Sequence, residues 1–454
     1  MSAEEIINQL QNLTVEDSKF DLADGHGFST CYVYDKDMKK HQNLYDRSHP
    51  EVPDRISRIY DKCQEYELLK KCKRLPSRVA TDEELLIMHS QNLIDTLRAT
   101  QTMKSRDLSK YADSLDSIYL HPSSFECAKL AAGCTLAVIE EVASGKSLNG
   151  IGIVRPPGHH GFHDICSGFC LFNNVAIAAK KVQSYPNIDR ILIVDWDVHH
   201  GNGTQSLFYK DPSVLYYSIH RYDHAEFYPF MEDANYDRAG EEAGEGFNIN
   251  VAWNKPKMGD GDYLAAFHHI LLPVAYEFNP DLVIVSAGFD SARGDPKGLC
   301  NVTPEGFAHL TKLLMNLANG RLALILEGGY NLTSNAESMA ACLRVLLGES
   351  CPPLEEAAIP CQSALESISN TLKTHSKYWK SLRLPAFTTD DTQKRESETE
   401  KMKPAEKRPT TSSDTQKRES ETEKMKPVEK RPTTSSKKKN KARVQHKEAT
   451  DEPT

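Results

Sequence analysis

The chain has 454 residues, of which 39% are hydrophobic, and a formal net charge of −9. This length suffices for one large α/β domain with a tail, or for two or three average domains. The negative charge gives no support for nucleic acid as the main partner of the folded part. The 11 cysteines, scattered without a C-x-x-C pair, indicate reduced thiols rather than a disulfide framework.

The N-terminal residues 1–29 contain no basic segment followed by an apolar one, so we expect no secretory signal. No run in the chain approaches the roughly 18 apolar residues of a membrane span. We therefore interpret 1–29 as an N-terminal extension and expect a soluble protein of the cytoplasm, with the nucleus as a second location. Residues 30–385 form the predicted domain.

Five apolar runs rich in β-branched residues predict buried strands. Because these runs are continuous rather than alternating, they suit strands that are covered on both faces, as in a parallel sheet. Amphipathic segments at 261–278 and 306–320 predict helices and make right-handed crossovers the default. The pattern predicts an α/β domain. The predicted strands span residues 150–154, 191–194, 213–219, 281–287 and 322–326.

Polar motifs follow four of these five runs. In open parallel sheets, ligands bind beyond the carboxyl ends of the strands, so we expect the four loops to converge on one crevice. The motifs are RPPGHH (155–160), DWDVHHGNG (195–203), GFD (288–290) and EGGY (327–330).

Three residues of these motifs suit a metal ion. Asp197 and His199 stand two residues apart on an extended segment and can direct their side chains to one side. Asp290 supplies a third ligand. One imidazole and two carboxylates form a mixed site with open positions, which fits a catalytic Zn²⁺ better than a structural one. The alternative is an ordinary loop with capping aspartates and a surface histidine.

A second histidine pair, His159 and His160, suits acid–base chemistry, because the pKa of a neutral imidazole lies near working pH. Asp195 and Asn202 are the candidates to orient the two rings. A carboxylate raises an imidazole pKa, whereas an amide only orients the ring, so if Asp195 orients His159 and Asn202 orients His160, His159 stays positive and His160 stays neutral and basic. Tyr330 follows two glycines and could donate to a developing oxyanion; the alternative is a packed tyrosine.

Taken in order, five motifs resemble the zinc-dependent histone deacetylases of the class IIb branch, and within it the histone deacetylase 6 type, especially its second catalytic domain. The likeness runs from about Thr30 to Arg383. It implies an arginase/deacetylase fold, in which helices flank an eight-stranded parallel sheet, and hydrolysis of ε-N-acetyl-lysine in proteins. It also implies one catalytic zinc and a structural potassium ion. The motifs are RPPGHH, GFCLFNN, DWDVHHGNGTQ, SAGFDSARGDP and LEGGYNL.

The resemblance assigns roles to residues of these motifs. It makes Asp197, His199 and Asp290 the zinc ligands, Tyr330 the oxyanion donor and His160 the proton shuttle. It suggests acetylated proteins such as tubulin or histones as partners, with no direct nucleic acid or membrane. The remaining positions are Gly168 and Phe169 on one tunnel wall, Tyr228 on the other, the rim residues Ser117 and Lys297, Arg55 at the floor, and Ser218 at the potassium site.

Two positions depart from the second-domain pattern: Tyr228 replaces a phenylalanine and Lys297 replaces a leucine. A lysine at this rim position resembles the first catalytic domain instead. A cation at the mouth would attract a free carboxylate, so we predict a preference for acetyl-lysine at or near a peptide C terminus. At an exposed rim this attraction is on the order of 1 kcal/mol and salt-sensitive. The alternative is a lysine turned into solvent.

Three other functions fit parts of the pattern. An acetylpolyamine deacetylase belongs to the same branch but has an acidic rim residue, where Lys297 would repel a cationic substrate. An arginase-like two-metal hydrolase would need more carboxylates in the ligand loop. A non-catalytic acetyl-lysine binding module would have lost a ligand, a histidine or the tyrosine. Zinc and iron both remain open as the metal in the cell.

From about Thr388 onward apolar residues nearly vanish, and the 23-residue segment 391–413 recurs as 414–436 with one change, alanine to valine. So polar a segment cannot bury enough surface to offset its ordering entropy, so we predict a disordered tail over 386–454. Its basic end, 437–447, is either a nuclear localisation signal, an acid-binding patch or a solvated tail.

Overall fold

The structure is a computed structural model that describes residues 29–354 and 358–383. The N-terminal extension and the repeat-containing tail lie outside these described residues, so the disordered tail, the nuclear signal and the domain boundaries stay predictions. Within the described part of the chain, no helix is long and apolar enough to cross a membrane.

One eight-stranded sheet forms the centre of the described residues, and all of its neighbouring strands pair in parallel. The eight-stranded parallel sheet that the resemblance predicts is confirmed. Its strands are β1 (Thr30–Tyr34), β2 (Lys73–Arg74), β3 (Asn149–Ile153), β4 (Ile191–Asp195), β5 (Val214–Arg221), β6 (Asn248–Trp253), β7 (Leu282–Ala287) and β8 (Leu322–Leu326). Their order across the sheet is β2-β1-β3-β8-β7-β4-β5-β6.

The five predicted runs coincide with β3, β4, β5, β7 and β8 to within two residues at each end, whereas β1, β2 and β6 were not predicted from periodicity. Strand β2 has only two residues. Strand β6 alternates apolar residues with Asn248 and Asn250, which interrupt the apolar run. Both amides are buried because they donate to the Gln205 side chain, at 2.8 and 2.9 Å. Tertiary partners therefore allow a strand that the apolar pattern does not indicate.

Helices cover both faces of the sheet. The segment predicted at 261–278 is helical throughout, with a π-helical turn at Phe267–Leu271, and the one predicted at 306–320 ends as an α-helix at Leu314. The α-helices are α1 (Asp54–Glu65), α2 (Asp82–Leu85), α3 (Gln91–Ala99), α4 (Ser105–Ala112), α5 (Ser124–Ala143), α6 (Asn174–Val182), α7 (Asn202–Phe208), α8 (Asp260–Ala266), α9 (Leu272–Phe278), α10 (Pro304–Leu314), α11 (Leu332–Leu346) and α12 (Gln362–His375).

The four strands that precede the polar motifs, β3, β8, β7 and β4, are neighbours in the middle of the sheet. Their apolar side chains are buried on both faces, as in Ile191–Val194, where every residue has no exposed surface. Fully burying one such side chain stabilises the fold by about 1.5–3 kcal/mol. Because the strands are parallel and adjacent, the loops that follow them lie side by side at the carboxyl ends of the strands.

Candidate metal centre and active site

Asp197, His199 and Asp290 come together beyond the ends of β4 and β7. All three are buried, and one ligand atom from each lies within 4.8 Å of the others. The Nδ1 atom of His199 is 3.0 Å from Asp197 Oδ1 and 3.0 Å from Asp290 Oδ2. The single proton on this nitrogen cannot satisfy both carboxylates well. The arrangement therefore leaves three potential metal-ligand atoms facing one another.

The other oxygen atoms of the two carboxylates are oriented by backbone N–H groups. Gly328 donates to Asp197 Oδ2 at 2.8 Å, and Val198 donates to Asp290 Oδ1 at 2.7 Å. In contrast, Asp290 Oδ2 is buried and receives no hydrogen bond, because its neighbour His199 Nδ1, 3.0 Å away, hydrogen-bonds Asp197 Oδ1 instead. A buried carboxylate oxygen without a donor is costly unless a cation meets it. The residues therefore fit a divalent ion with mixed nitrogen and oxygen ligands.

Two glycines leave the space that the carboxylates of Asp197 and Asp290 occupy. A Cβ atom at Gly328 would lie 2.4 Å from Asp290 Oδ2 and 2.5 Å from Asp197 Oδ2, and one at Gly288 would lie 2.0 Å from Asp197 Oδ2. Any side chain at either position would displace a carboxylate. Close approach, rather than an unusual φ, explains these two glycines.

Electrostatics in the cluster also favour a cation. Burial and the neighbouring Asp197 carboxylate raise the pKa of Asp290 to about 7. Burial lowers the pKa of His199, but the carboxylates of Asp290 and Asp197 outweigh it and raise that pKa to about 9. In both shifts a neighbouring carboxylate contributes negative potential at one buried point, which a divalent ion would neutralise.

The two paired histidines have the partners that separate their charge states. His159 Nδ1–H donates to Asp195 Oδ2 at 3.0 Å, and His160 Nδ1–H donates to Asn202 Oδ1 at 2.7 Å. Burial opposes charge on His159, but Asp197 and Asp195 raise its pKa to about 10. Burial, reinforced by His159, holds the pKa of His160 well below its ordinary value. His160 therefore keeps a free, unprotonated Nε2.

Asp295 organises the loop of Tyr330, and sequence reasoning missed it. Its carboxylate accepts four backbone hydrogen bonds, from Tyr330 and Asn331 at 2.7 and 3.1 Å and from Lys297 and Gly298 at 2.8 and 3.1 Å. It thus joins the loop after β8 to the rim loop after β7. The bond to the residue two positions on is an Asx turn, a signal that Asp295-Pro-Lys-Gly carries in the sequence.

A buried ion cluster holds the same loop from below. The guanidinium of Arg55 donates to the carbonyls of Glu327 and, at 2.6 Å, of Gly329, and it lies 5.2 Å from the Tyr330 ring centre. Glu51 bridges Arg55, at 3.1 Å, to Arg155, at 2.6 Å. The expected role of Arg55 at the floor of the site stays a prediction, and the sequence offered no sign that Glu51 pairs with it.

Glu327 ties the histidine loop to β8, and it too was missed. One carboxylate oxygen accepts the N–H groups of Gly158 and His159 at 2.6 and 3.1 Å. Burial raises the pKa of Glu327 to about 7, although the His159 charge opposes the shift. A charged residue directly after a fully buried strand was the available signal.

A cavity of ≈ 300 Å³ opens above these groups and is lined by all five predicted substrate-binding residues. Phe169 and Tyr228 lie on its walls, and the Phe169 ring packs edge-on to Tyr330 at 6.0 Å between ring centres. Lys297 Nζ lies 5.9 Å from the Phe169 ring centre. The lining consists of Ser117, His160, Gly168, Phe169, His199, Glu226, Phe227, Tyr228, Phe230, Lys297 and Tyr330.

Ser218 lies apart from this cavity. It pairs with Asp195 across β4 and β5, and its Oγ is 2.8 Å from His220 Nδ1. Ser218 is therefore close to the backbone of the ligand loop, but its role at a potassium site stays a prediction.

Comparisons with known proteins identify the family. The family model described as "Histone deacetylase domain" matches residues 49–346. The chain belongs to the histone deacetylase family, as the resemblance predicts.

Individual relatives indicate the branch of the family to which the chain is similar. The chain is 48% identical over 355 residues to the human protein named "Polyamine deacetylase HDAC10", covering 78% of this chain and 53% of that one. It is 42% identical over 376 residues to "Histone deacetylase 6" of Caenorhabditis elegans, covering 80% and 39%. Both relatives agree with the class IIb branch. The chain spans about half, or less, of the length of these relatives.

A solved structure, "Crystal Structure of HDA15 HD domain", matches with a TM-score of 0.73 and 38% identity, over 81% of this chain and 98% of that one. The match extends over nearly all of that domain, which agrees with the fold that the resemblance predicts.

Proposed function

We propose that residues 30–385 form a zinc-dependent deacetylase that hydrolyses ε-N-acetyl-lysine in proteins. The observation that carries the proposal is the meeting of three metal-ligand side chains, one of which, His199, lines the same cavity as the neutral His160 and Tyr330. Four methylenes of a lysine side chain suit the aromatic walls of that cavity.

The chain's own residues account for the proton transfers. His160 Nε2 takes a proton from the attacking water, because Asn202 orients the ring and burial keeps it neutral. The same proton then passes to the leaving lysine amine. His159 stays cationic beside Asp195 and stabilises negative charge nearby.

Zinc, when bound, supplies a Lewis acid that polarises the acetamide carbonyl. Asp197, His199 and Asp290 would hold it. Tyr330 donates a hydrogen bond to the developing oxyanion. Burial, with the Asp290 and Asp197 carboxylates, raises the pKa of this phenol well above its ordinary value, so the donor stays protonated.

Lys297 favours a peptide over a polyamine as the substrate. Its ammonium at the cavity mouth would attract the free carboxylate of a C-terminal acetyl-lysine and repel a cationic polyamine. The second candidate function, acetylpolyamine hydrolysis, is supported by the name of the human relative, a polyamine deacetylase, and by Glu226, an acidic residue in the same cavity lining.

Three matched substrates separate the two candidates: an internal acetyl-lysine peptide, a C-terminal acetyl-lysine peptide and a monoacetylated polyamine. We expect chelator-sensitive turnover of both peptides, and faster turnover of the C-terminal one. Lys297→Leu should lower the C-terminal to internal ratio about fivefold at low salt and less at high salt. Lys146→Leu is the control, because Lys146 precedes β3 and so lies at the amino ends of the strands, opposite the loops of the site.

An unchanged ratio in Lys297→Leu would contradict the role of the ammonium. Preferential turnover of the polyamine, lost in Glu226→Gln, would move the assignment to the second candidate. If the metal-loaded chain turned over none of the three, a binding module would replace both.

For partners and location we propose acetylated proteins of the cytoplasm, such as tubulin, with histones as the nuclear alternative. We also propose a structural potassium ion near Ser218 and no direct binding of nucleic acid or membrane by the folded domain.

A further inference from the structure

Next to the rim residue Ser117 lies a carboxylate, that of Asp116, to which neither the mechanism nor the family motifs assign a role. Asp116 accepts hydrogen bonds from three hydroxyls: Tyr228 at 2.9 Å, Ser167 at 3.1 Å and Ser117 at 2.9 Å. Ser167 and Tyr228 also lie 2.9 Å apart, oxygen to oxygen. Three hydroxyls from three separate loops thus meet at one side chain.

This cluster joins the two walls of the cavity. Tyr228 belongs to one wall and bonds Asp116 through its side chain. Phe169 belongs to the other, and its N–H donates to the Ser117 carbonyl at 3.0 Å, while the Gly168 N–H donates to the Asp116 carbonyl at 3.1 Å. The distance between the aromatic walls therefore depends on residues 116 and 117.

The backbone at this junction is held in an unfavourable conformation. Ser117 has φ 53° and Phe169 has φ 67°, in the left-handed region that side chains other than glycine, asparagine and aspartate rarely adopt. Each such residue costs on the order of 1–3 kcal/mol and persists only where surrounding contacts impose it. The hydrogen bonds of Asp116 and of its carbonyl are those contacts.

The cluster also determines how the Ser117 hydroxyl can act. A hydroxyl has one hydrogen and two lone pairs. Ser117 donates its hydrogen to Asp116 Oδ1, so only its lone pairs face the cavity that it lines. The family resemblance already makes Ser117 the rim serine that hydrogen-bonds the substrate backbone, and its bond to Asp116 leaves it able only to accept from a substrate N–H group.

We propose that Asp116 is a specificity-determining positioning residue, which fixes the two tunnel walls through Tyr228 and makes Ser117 an acceptor for a backbone N–H beside the acetyl-lysine. This inference rests on the proposed function. Substrates that carry an amide N–H at that point, which peptides do, are favoured over those that lack one. The Tyr228 hydroxyl, which a phenylalanine would lack, is part of this hydrogen-bonded cluster.

The test compares an acetyl-lysine peptide with its ester analogue, in which oxygen replaces the acetyl-lysine backbone N–H. In the full metal-loaded chain we expect kcat/KM for the ester to be about tenfold lower, the value of one hydrogen bond. Asp116→Ala should lower kcat/KM for the amide by a similar factor, mainly through KM, and bring the amide to ester ratio close to one. Tyr228→Phe should give a smaller loss of a few-fold.

Asp164→Ala, which removes an exposed carboxylate three residues before Ser167, is the matched control and should keep the wild-type ratio. Asp116→Asn serves if the alanine variant fails to fold, and it should give an intermediate ratio. A wild-type ratio in folded Asp116→Ala, with the peptide still hydrolysed by the parent chain, would overturn this inference alone. Failure of the parent chain to hydrolyse the peptide would overturn the proposed function together with it.

Discussion

Replacing Gly328 by alanine tests whether close packing, rather than ligand identity alone, holds the metal centre. The new Cβ would lie 2.4 Å from Asp290 Oδ2 and 2.5 Å from Asp197 Oδ2, whereas real Cβ contacts are essentially never shorter than 3.0 Å. Both carboxylates must therefore move away by about half an ångström, while metal–ligand distances tolerate only about 0.2 Å. The N–H that orients Asp197 is retained, so only volume changes.

We expect Gly328→Ala to weaken zinc binding by at least about 100-fold, the upper range for loss of a supporting contact. Competition with a chromophoric chelator measures this affinity without reference to activity. Gly259→Ala is the control, because its new Cβ would be 3.7 Å from the nearest atom. Wild-type zinc affinity in a folded Gly328→Ala chain would refute the reasoning.

Two further predictions concern Tyr330 and His375. Tyr330→Phe should reduce kcat by about 10²–10³ with little change in zinc affinity, because it removes the oxyanion donor alone; near-normal kcat would exclude that role. His375 is buried, both its ring nitrogens lack hydrogen-bond partners, and burial lowers its pKa from 6.5 to about 3. Because protonation is unfavourable in the folded state, the stabilising contribution of the neutral ring is present above pH 6.5 and is lost as pH falls towards 3. Between about pH 7 and pH 5, the free energy of unfolding measured in urea should therefore fall by about 2 kcal/mol less in His375→Phe than in wild type. An identical loss in both proteins would contradict the shift.

The metal ligands could be predicted from the sequence because residues of ligand type directly follow the apolar runs that predict strands. Asp197 and His199 follow a continuous apolar run, and Asp290 follows another. Parallel pairing then brings the ends of β4 and β7 to the same edge, a consequence that needs no knowledge of side-chain packing. The pairing of His159 with Asp195 and of His160 with Asn202 was likewise open to reasoning from residue types.

The sequence by itself determined the α/β class, the converging loops and the chemistry of the site, since apolar periodicity and strand-end polar motifs are local. Only the tertiary structure assigned partners to Glu51, Asp116, Asp295 and Glu327. Each of these carboxylates binds groups from loops distant in sequence, among them backbone N–H groups that every residue except proline carries. Local sequence does not specify which N–H or hydroxyl a carboxylate will meet, because that choice depends on how whole loops pack against one another.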